Sequence, residues 1–183
     1  MIPAARLEGD RVVLRDFAPR DVDPFLQAFA DESALDRLIG YEEEPTKAWA
    51  RKRMREEANE RIDGRSVRFA IAAPDNDAFL GQIALHSFSW MHRRADCGFM
   101  VVPGSRRGGV ALEALRLIVR WAFATLGLHR VGLATLIDNE PTIRLAERAG
   151  FQREGVLRAY TYERGARIDN LYYGAVEGDP AWA

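Results

Sequence analysis

One stretch, residues 96–111, constrains the fold more than any other part of the chain. It reads DCGFMVVPGSRRGGVA, an apolar run that leads into a loop with two arginines and three glycines, and a long helical pattern begins where the glycines stop. The first N–H groups of a helix have no partner within it and lie at the positive end of the helix dipole. A strand, a glycine-rich loop and a helix in this order therefore predict an anion-binding cradle, with a phosphate-bearing ligand as its occupant.

Composition narrows the class of protein. A chain of 183 residues, 48% hydrophobic and 29% charged, is ordinary for one soluble domain spanning residues 1–183. Because 26 basic residues face 27 acidic ones, we expect neither a nucleic-acid nor a membrane partner. A single cysteine and three separated histidines predict no disulfide framework and no metal site, which fits a cytoplasmic protein. The sequence contains no signal-peptide core and no apolar run long enough to span a membrane.

Turn signals and hydrophobic periodicity predict a mixed α/β (α+β) domain. Short polar turns between successive strands predict antiparallel pairing, whereas a helix between two strands predicts a parallel crossover. We expect a connection at residues 160–167, with Gly165 in its turn, and a frayed tail at residues 177–183. The predicted strands are residues 11–15, 67–72, 79–90, 95–102, 130–137, 151–158 and 168–176, and the predicted helices begin near residues 19, 46, 110 and 142.

Two further motifs support a specific interpretation of the glycine-rich loop. By itself, a glycine-rich loop with arginines is equally consistent with a tight turn whose arginines are solvated. This loop also lacks the spacing of the nucleotide triphosphate P-loop and of the dinucleotide-binding loop. The spacing Arg106-x-x-Gly109-x-Ala111 nevertheless resembles the acetyl-CoA signature of the GCN5-related N-acetyltransferases (GNAT). Residues 139–151 and 95–99 resemble two other motifs of that family. Residues 154–158, with Asp169 and Tyr173, are similar to the branch that acetylates the N-termini of ribosomal proteins (RimJ and RimL), and the resemblance covers residues 8–176.

This resemblance implies a fold and a place for the cofactor. It implies a GNAT-type, mostly antiparallel sheet of about seven strands with about four helices. The fourth and fifth strands, residues 95–102 and 130–137, would splay apart around acetyl-CoA. Backbone groups of Met100, Val101 and Val102 would bind the pantetheine arm. The pyrophosphate would meet the N–H groups of Arg106, Arg107, Gly108, Gly109, Val110 and Ala111, with Asn139 and Thr142 contributing from the next helix.

The implied chemistry is direct transfer of acetyl from the thioester to an amine. Asp96 occupies the position of the family's frequent glutamate base, but an ordinary aspartate titrates near ~3.9 and would need a water relay or a desolvated pocket. A salt bridge with Arg93 or Arg94 is the structural alternative. The resemblance gives Thr142 a hydrogen bond to the cofactor sulfur, whereas Ala146 replaces the family's acidic tyrosine and leaves protonation of the thiolate open. Strand alternation makes Cys97 a buried residue rather than an acyl carrier.

The acceptor is less constrained. An α-amine titrates near ~8 and a lysine near ~10.4, so a weak base suits a protein or peptide N-terminus. Acetylation of a small amine (a polyamine or an antibiotic) and a non-catalytic acyl-CoA sensor remain alternatives, and both a monomer and a homodimer are open. The candidate substrate-binding residues are Tyr41, Glu42, Trp90 and Tyr160. Glu42 could attract a cationic acceptor, and the three aromatic residues could line the acceptor channel. Ordinary packing would equally explain the aromatic residues, and the dipole of the following helix would equally explain Glu42.

Overall fold

The computed structural model describes residues 1–28, 46–163 and 165–182, apart from the side chain of residue 163. These residues form eight strands and four α-helices. The strands are β1 Leu7–Glu8, β2 Val13–Arg15, β3 Val67–Ala72, β4 Phe79–Ser89, β5 Arg94–Val101, β6 Arg130–Leu136, β7 Gln152–Glu163 and β8 Ala166–Val176. The helices are α1 Val22–Gln27, α2 Lys47–Ile62, α3 Val110–Ala124 and α4 Glu140–Ala149.

The strands form one mixed sheet in the order β1-β2-β3-β4-β5-β6-β8-β7. Every neighbouring pair is antiparallel except β5 and β6, which are parallel and joined through α3. The predicted mixed sheet is therefore confirmed, and the short β1 is the strand that the sequence did not predict. Among the described residues, no helix is long and apolar enough to cross a membrane.

The parallel pair opens into a fork. β5 and β6 pair only at Arg94 with Arg130, at Ala95 with Val131 and at Asp96 with Gly132. Beyond Asp96 both strands continue, β5 to Val101 and β6 to Leu136, without further pairing to each other. The predicted splay is confirmed, and it begins at the candidate base.

Two apolar cores cover the two faces of the sheet. On one face, α3 and α4 pack on the larger core, which includes Cys97, Leu133 and Tyr173. On the other face, α1 and α2 pack around Phe25, Trp49 and Met100. Because side chains alternate along a strand, His86, Asp96 and Tyr172 lie on this second face, beside the α1 and α2 core. Strand alternation therefore separates Asp96 from its neighbour Cys97.

The second helix begins where the sequence predicts. Thr46 is its N-cap, since its hydroxyl accepts the backbone N–H of Trp49 at 3.1 Å. Trp49 is buried, and Met54 packs on the same core. The sequence did not predict the burial of Glu57, which accepts a hydrogen bond from Arg68 Nε at 2.6 Å.

The last hairpin and the C-terminal tail differ from the prediction. β7 and β8 continue through most of the predicted connection, because register shifts near Arg153 and Leu157 let the long strands stay paired. Gly165 occupies the turn in the left-handed region, with φ of 81°. The tail is docked rather than frayed. The Trp182 indole packs edge-on against Phe151 at 5.7 Å between ring centres, and its N–H donates to the Gly150 carbonyl at 3.3 Å.

Candidate active site

The glycine-rich loop leads directly into α3. Residues Pro103–Ser105 form one 3₁₀ turn, and both Arg107 and Gly109 adopt left-handed φ values of 69° and 81°. Gly109 is the N-cap of α3, so the helix begins at Val110 as predicted. A Cβ built on Gly108 would lie 3.9 Å from the Ser105 carbonyl and meet nothing closer. The loop therefore leaves the first N–H groups of α3 approachable by an anion.

The two loop arginines are both exposed, but their backbones differ. The Arg106 side chain folds back, because its Nε donates to the Val101 carbonyl at 3.2 Å. Arg107 carries the strained φ of the loop. Arg106 thus joins the loop to the end of β5.

The gap between β5 and β6 is lined by backbone groups of alternate residues. Where β5 and β6 are still paired, the Arg93 carbonyl accepts from Arg130 N at 3.2 Å, whereas Val102 N donates to the Leu80 carbonyl on β4 at 2.9 Å. Because alternate residues of a strand direct their N–H and C=O groups to opposite sides, Phe99 and Val101 direct theirs into the gap. Of the three residues that we predicted for the pantetheine arm, Met100 and Val102 direct theirs towards β4.

Asp96 lies at the bottom of the fork and has a partner that the sequence did not reveal. The hydroxyl of Tyr172 donates to Asp96 Oδ1 at 2.7 Å. The proposed salt bridges are absent from the described part of the chain. Arg93 instead donates to the Gly127 carbonyl at 2.6 Å and lies 3.8 Å from Glu177.

The hydrogen bond from Tyr172 to Asp96 passes over Gly132, which has no side chain to block it. A Cβ on Gly132 would overlap both the Tyr172 hydroxyl and Asp96 Oδ1, and a Cβ on the facing Gly174 would overlap Glu154 and Arg130. Arg130 forms paired hydrogen bonds with Glu154, and its guanidinium carbon lies 5.8 Å from the centre of the Tyr172 ring. The Tyr172 hydroxyl therefore lies between a cation and an anion.

This environment fixes the protonation of Tyr172. Burial and the hydrogen bond to Asp96 together raise the pKa of Tyr172 to about 12, and Arg130 opposes that rise. At neutral pH the phenol is therefore protonated and donates to the carboxylate. The same network raises the pKa of Arg130, mainly through its hydrogen bond with Glu154.

His86 is the second titratable group at the fork, and the sequence reasoning missed it. It faces Asp96 across the antiparallel pair of β4 and β5. Its Nε2 lies over Gly98, 3.6 Å from the place a Cβ would take there, and its Nδ1 lies 3.0 Å from Ser87 Oγ. Burial lowers the pKa of His86, Asp96 opposes this effect, and Arg68 adds to it. The imidazole is therefore neutral at neutral pH. Only the strand register could have revealed its place beside Asp96.

Cys97 lies on the opposite face, in the larger core, and is almost fully buried. Burial raises the pKa of its thiol far above the ordinary value, and the nearby Asp96 adds to that effect. A buried protonated thiol is a poor nucleophile. The structure therefore supports the expectation that Cys97 is a packing residue.

The start of α4 lies just after the end of β6. Asn139 is the N-cap residue of α4, but its side chain makes no capping hydrogen bond. Instead, its backbone carbonyl accepts from the N–H groups of Thr142 and Ile143, each at 3.0 Å. Thr142 is half-buried in the first turn, whereas Ala146 is fully buried in the larger core. The Asn139 amide is therefore not needed to cap the helix.

The predicted acceptor residues have different positions. Trp90 lies in the turn after β4, where its indole N–H donates to the Gly64 carbonyl at 2.9 Å and its ring stacks on Phe88 at 4.8 Å. Tyr160 is exposed on β7. Tyr41 and Glu42 lie outside the described residues. Within residues 1–28, 46–163 and 165–182, no group of three or more His, Cys, Asp or Glu side chains could hold a metal ion.

Comparisons with known proteins agree on one family. A family model described as an acetyltransferase (GNAT) domain matches residues 11–152. The uncharacterized N-acetyltransferase YoaA of Bacillus subtilis (strain 168) is 33% identical over 171 residues, which are 93% of this chain and 96% of the relative.

Two solved structures share the fold. Mycobacterium smegmatis RimJ in complex with CoA-disulfide has a TM-score of 0.88 at 23% identity, over 96% of this chain and 90% of that one. Spermidine N-acetyltransferase from Vibrio cholerae in complex with CoA and spermine has a TM-score of 0.81 at 18% identity, over 93% of this chain and 98% of that one.

Proposed function

We propose, from the premise that the chain belongs to the GNAT acetyltransferase family, that this N-acetyltransferase acetylates the N-terminal amine of a protein or peptide. The acetyl donor is acetyl-CoA. The observation that carries the proposal is the fork itself. It brings a gap lined by strand backbone, an anion-binding helix start and a carboxylate together in one fold.

The residues present fit the cofactor. Phe99 and Val101 direct backbone groups into the gap, where they would bind the amides of the pantetheine arm. The N–H groups from Arg106 to Ala111 would bind the pyrophosphate, and the open side of Gly108 leaves room for it. The side chains of Arg106 and Arg107 would add charge-assisted hydrogen bonds. At the start of α4, Asn139 and Thr142 would complete the site.

Acetyl transfer has three requirements. The amine must be deprotonated, the developing charge on the carbonyl oxygen must be stabilised, and the departing thiolate must be protonated or held. Asp96 lies where the amine would lose its proton, and Tyr172 holds the carboxylate in place. The Thr142 hydroxyl would hydrogen-bond the sulfur. Ala146 has no acidic group and is fully buried, so the thiolate takes its proton from elsewhere.

The preference for an N-terminal acceptor rests on acid–base chemistry. At neutral pH an α-amine with a pKa near ~8 is a few hundredfold richer in its reactive neutral form than a lysine with a pKa near ~10.4. A weak proton acceptor therefore suffices for the α-amine. The likeness of the fold to RimJ agrees with this preference.

A small amine is the second candidate acceptor. The spermidine N-acetyltransferase from Vibrio cholerae, crystallised with CoA and spermine, shares the fold. A polyamine would be drawn to acidic side chains, and Glu42 in the segment outside the described residues is one candidate for such a contact.

A panel of acceptors tests the proposal. We would measure thiol release from acetyl-CoA with N-terminal peptides, polyamines and aminoglycosides, and in parallel the affinity for acetyl-CoA by calorimetry. Turnover with peptides is expected. Turnover with polyamines or aminoglycosides alone would replace the peptide by a small amine, whereas tight acetyl-CoA binding without turnover on any acceptor would indicate a sensor.

A further inference from the structure

Two titratable side chains face each other at the bottom of the fork, and their surroundings differ. Asp96 uses one carboxylate oxygen to accept the Tyr172 hydroxyl at 2.7 Å. His86, directly opposite on β4, is half-buried and extends its Nε2 over Gly98. Gly98 is the first residue on this face of β5 beyond the last pair with β6, which is Asp96 with Gly132. The imidazole thus lies where the two strands begin to separate.

The backbone around His86 holds the ring in this position. A register shift interrupts the pairing of β4 and β5 between His86 and Ser89, and Ser87 adopts a left-handed φ of 54°. A bulge of this kind changes the direction of a side chain and is common beside active sites. It also places Ser87 Oγ 3.0 Å from His86 Nδ1. If the Nδ1 proton is donated to Ser87, the lone pair resides on Nε2.

We propose that His86 is the proton acceptor of the reaction, and that Asp96 stabilises its charged form while Tyr172 holds Asp96 in place. This assignment rests on the proposed acetyl transfer and names the group that makes the amine reactive. The lone pair of His86 Nε2 takes one proton from the acceptor ammonium. The neutral amine then forms the N–C bond as the C–S bond breaks. The second amine proton passes to the thiolate, and the imidazolium later releases its own proton to water.

The charges around His86 suit this role. Asp96 on β5 raises its pKa, and Arg68 on β3 lowers it. Further charges lie one contact away. Arg68 donates a hydrogen bond to Glu57 of α2, and Asp96 accepts one from Tyr172. The Tyr172 ring in turn lies beside Arg130, which is paired with Glu154. With the burial effect dominant, the pKa of His86 lies below 6.5, so the base form prevails at neutral pH.

The activity test compares His86→Gln with His92→Gln, which changes an exposed histidine in the turn after β4. With whichever acceptor in the panel is turned over, His86→Gln should lower kcat by about 10²-fold or more, the usual contribution of a general base. It should leave the acetyl-CoA affinity unchanged and remove the acid limb of the kcat profile below pH 6.5. The control variant should retain both rate and limb.

The shape of the pH profile separates His86 from Asp96. Because Asp96 raises the pKa of His86, Asp96→Asn should move the acid limb to lower pH. Because Arg68 lowers that pKa, Arg68→Gln should move the limb to higher pH. A limb that survives in His86→Gln and vanishes in Asp96→Asn would make Asp96 the base and overturn the assignment.

An NMR titration tests the same claim without turnover. In the wild-type protein, the His86 ring should titrate below pH 6.5, and lower still in Asp96→Asn. A ring that is still protonated at pH 7.5 would overturn the proposal, because no lone pair would then be available. If no amine at all is acetylated, the proposed function fails and this assignment fails with it. Unchanged kcat in His86→Gln with a productive acceptor overturns the assignment alone.

Discussion

At the residue scale, the site depends on a glycine, because a side chain at its position would block a hydrogen bond. Gly132 is the residue of β6 that pairs with Asp96, and the space its Cβ would fill is where the Tyr172 hydroxyl meets the carboxylate. No property of residues 130–137 in the sequence marks this glycine as special, because a glycine within a strand has many possible causes. The register of three strands is needed to see that Asp96, Gly132 and Tyr172 meet.

Gly132→Ala tests this requirement. The added methyl group would overlap both atoms of the hydrogen bond, so we expect the free energy of unfolding to fall by about 1–3 kcal/mol. Turnover should fall by roughly tenfold, the equivalent of one lost hydrogen bond to a charged group. Urea denaturation and the thiol-release rate measure the two effects.

Gly155→Ala is the matched control for that substitution. A Cβ on Gly155 would meet nothing within 4 Å, and its φ lies outside the left-handed region. Both measurements should match the wild type. Equal behaviour of the two variants would mean that the packing at Gly132 can adjust, and that the hydrogen bond from Tyr172 does not depend on the glycine.

At the scale of elements, the order of strands and helices followed from the sequence, whereas details of their ends did not. Turn residues and periodicity predicted β3 to β6 to within about one residue, because short polar turns separate β3, β4 and β5 and a well-defined helix separates β5 from β6. The strands β7 and β8 were predicted too short. Their bulges near Arg153 and Leu157 disturb the alternation on which strand prediction relies. The docking of the tail could not be predicted, because it depends on a contact between Trp182 and Gly150, which is distant in the sequence.

The loop before α3 gives a prediction at this scale. Gly108→Val should weaken acetyl-CoA binding by roughly tenfold, because a side chain there would obstruct an anion that approaches the helix start. Stability should be unchanged, since a Cβ on Gly108 lies 3.9 Å from its nearest neighbour. Calorimetry with acetyl-CoA and thermal melts of the apo protein provide the two measurements.

Gly104→Val is the control within the same loop. Nothing lies within 4 Å of a Cβ on Gly104, and its position in the 3₁₀ turn precedes the arginines. Its acetyl-CoA affinity should equal that of the wild type. If Gly108→Val also binds normally in a folded protein, the pyrophosphate does not approach this side of the loop.

At the scale of the whole molecule, a buried ion pair joins β2, the start of α1 and the turn before β4. Arg15 donates to both carboxylate oxygens of Asp21, at 2.7 and 3.0 Å, and its Nε donates to Asp77 at 2.7 Å. Asp21 is 1% exposed, and it also accepts the backbone N–H of Ala18 at 2.7 Å. This pairing could not be predicted from the sequence, because residues 15, 21 and 77 come together only in the folded protein.

Asp21→Ala should therefore destabilise the protein by about 3 kcal/mol or more, since it leaves a buried guanidinium with fewer partners. Glu8→Ala, which removes an exposed partner of Arg6, should change the free energy of unfolding by less than about 1 kcal/mol. Urea denaturation of both variants measures the difference. Similar values for the two would show that the buried pair contributes no more than a surface pair.

The fork also gives the sheet two additional edges in its interior. An open edge strand is ordinarily a hazard, because its unpaired N–H and C=O groups can recruit a strand from another molecule. Here the two edges face each other at the centre of the sheet, under α3 and α4, where a foreign strand has little access. The same shielding makes the gap selective for a thin, amide-bearing chain. The β-alanine and cysteamine units of pantetheine have this form, because they carry amides without side chains.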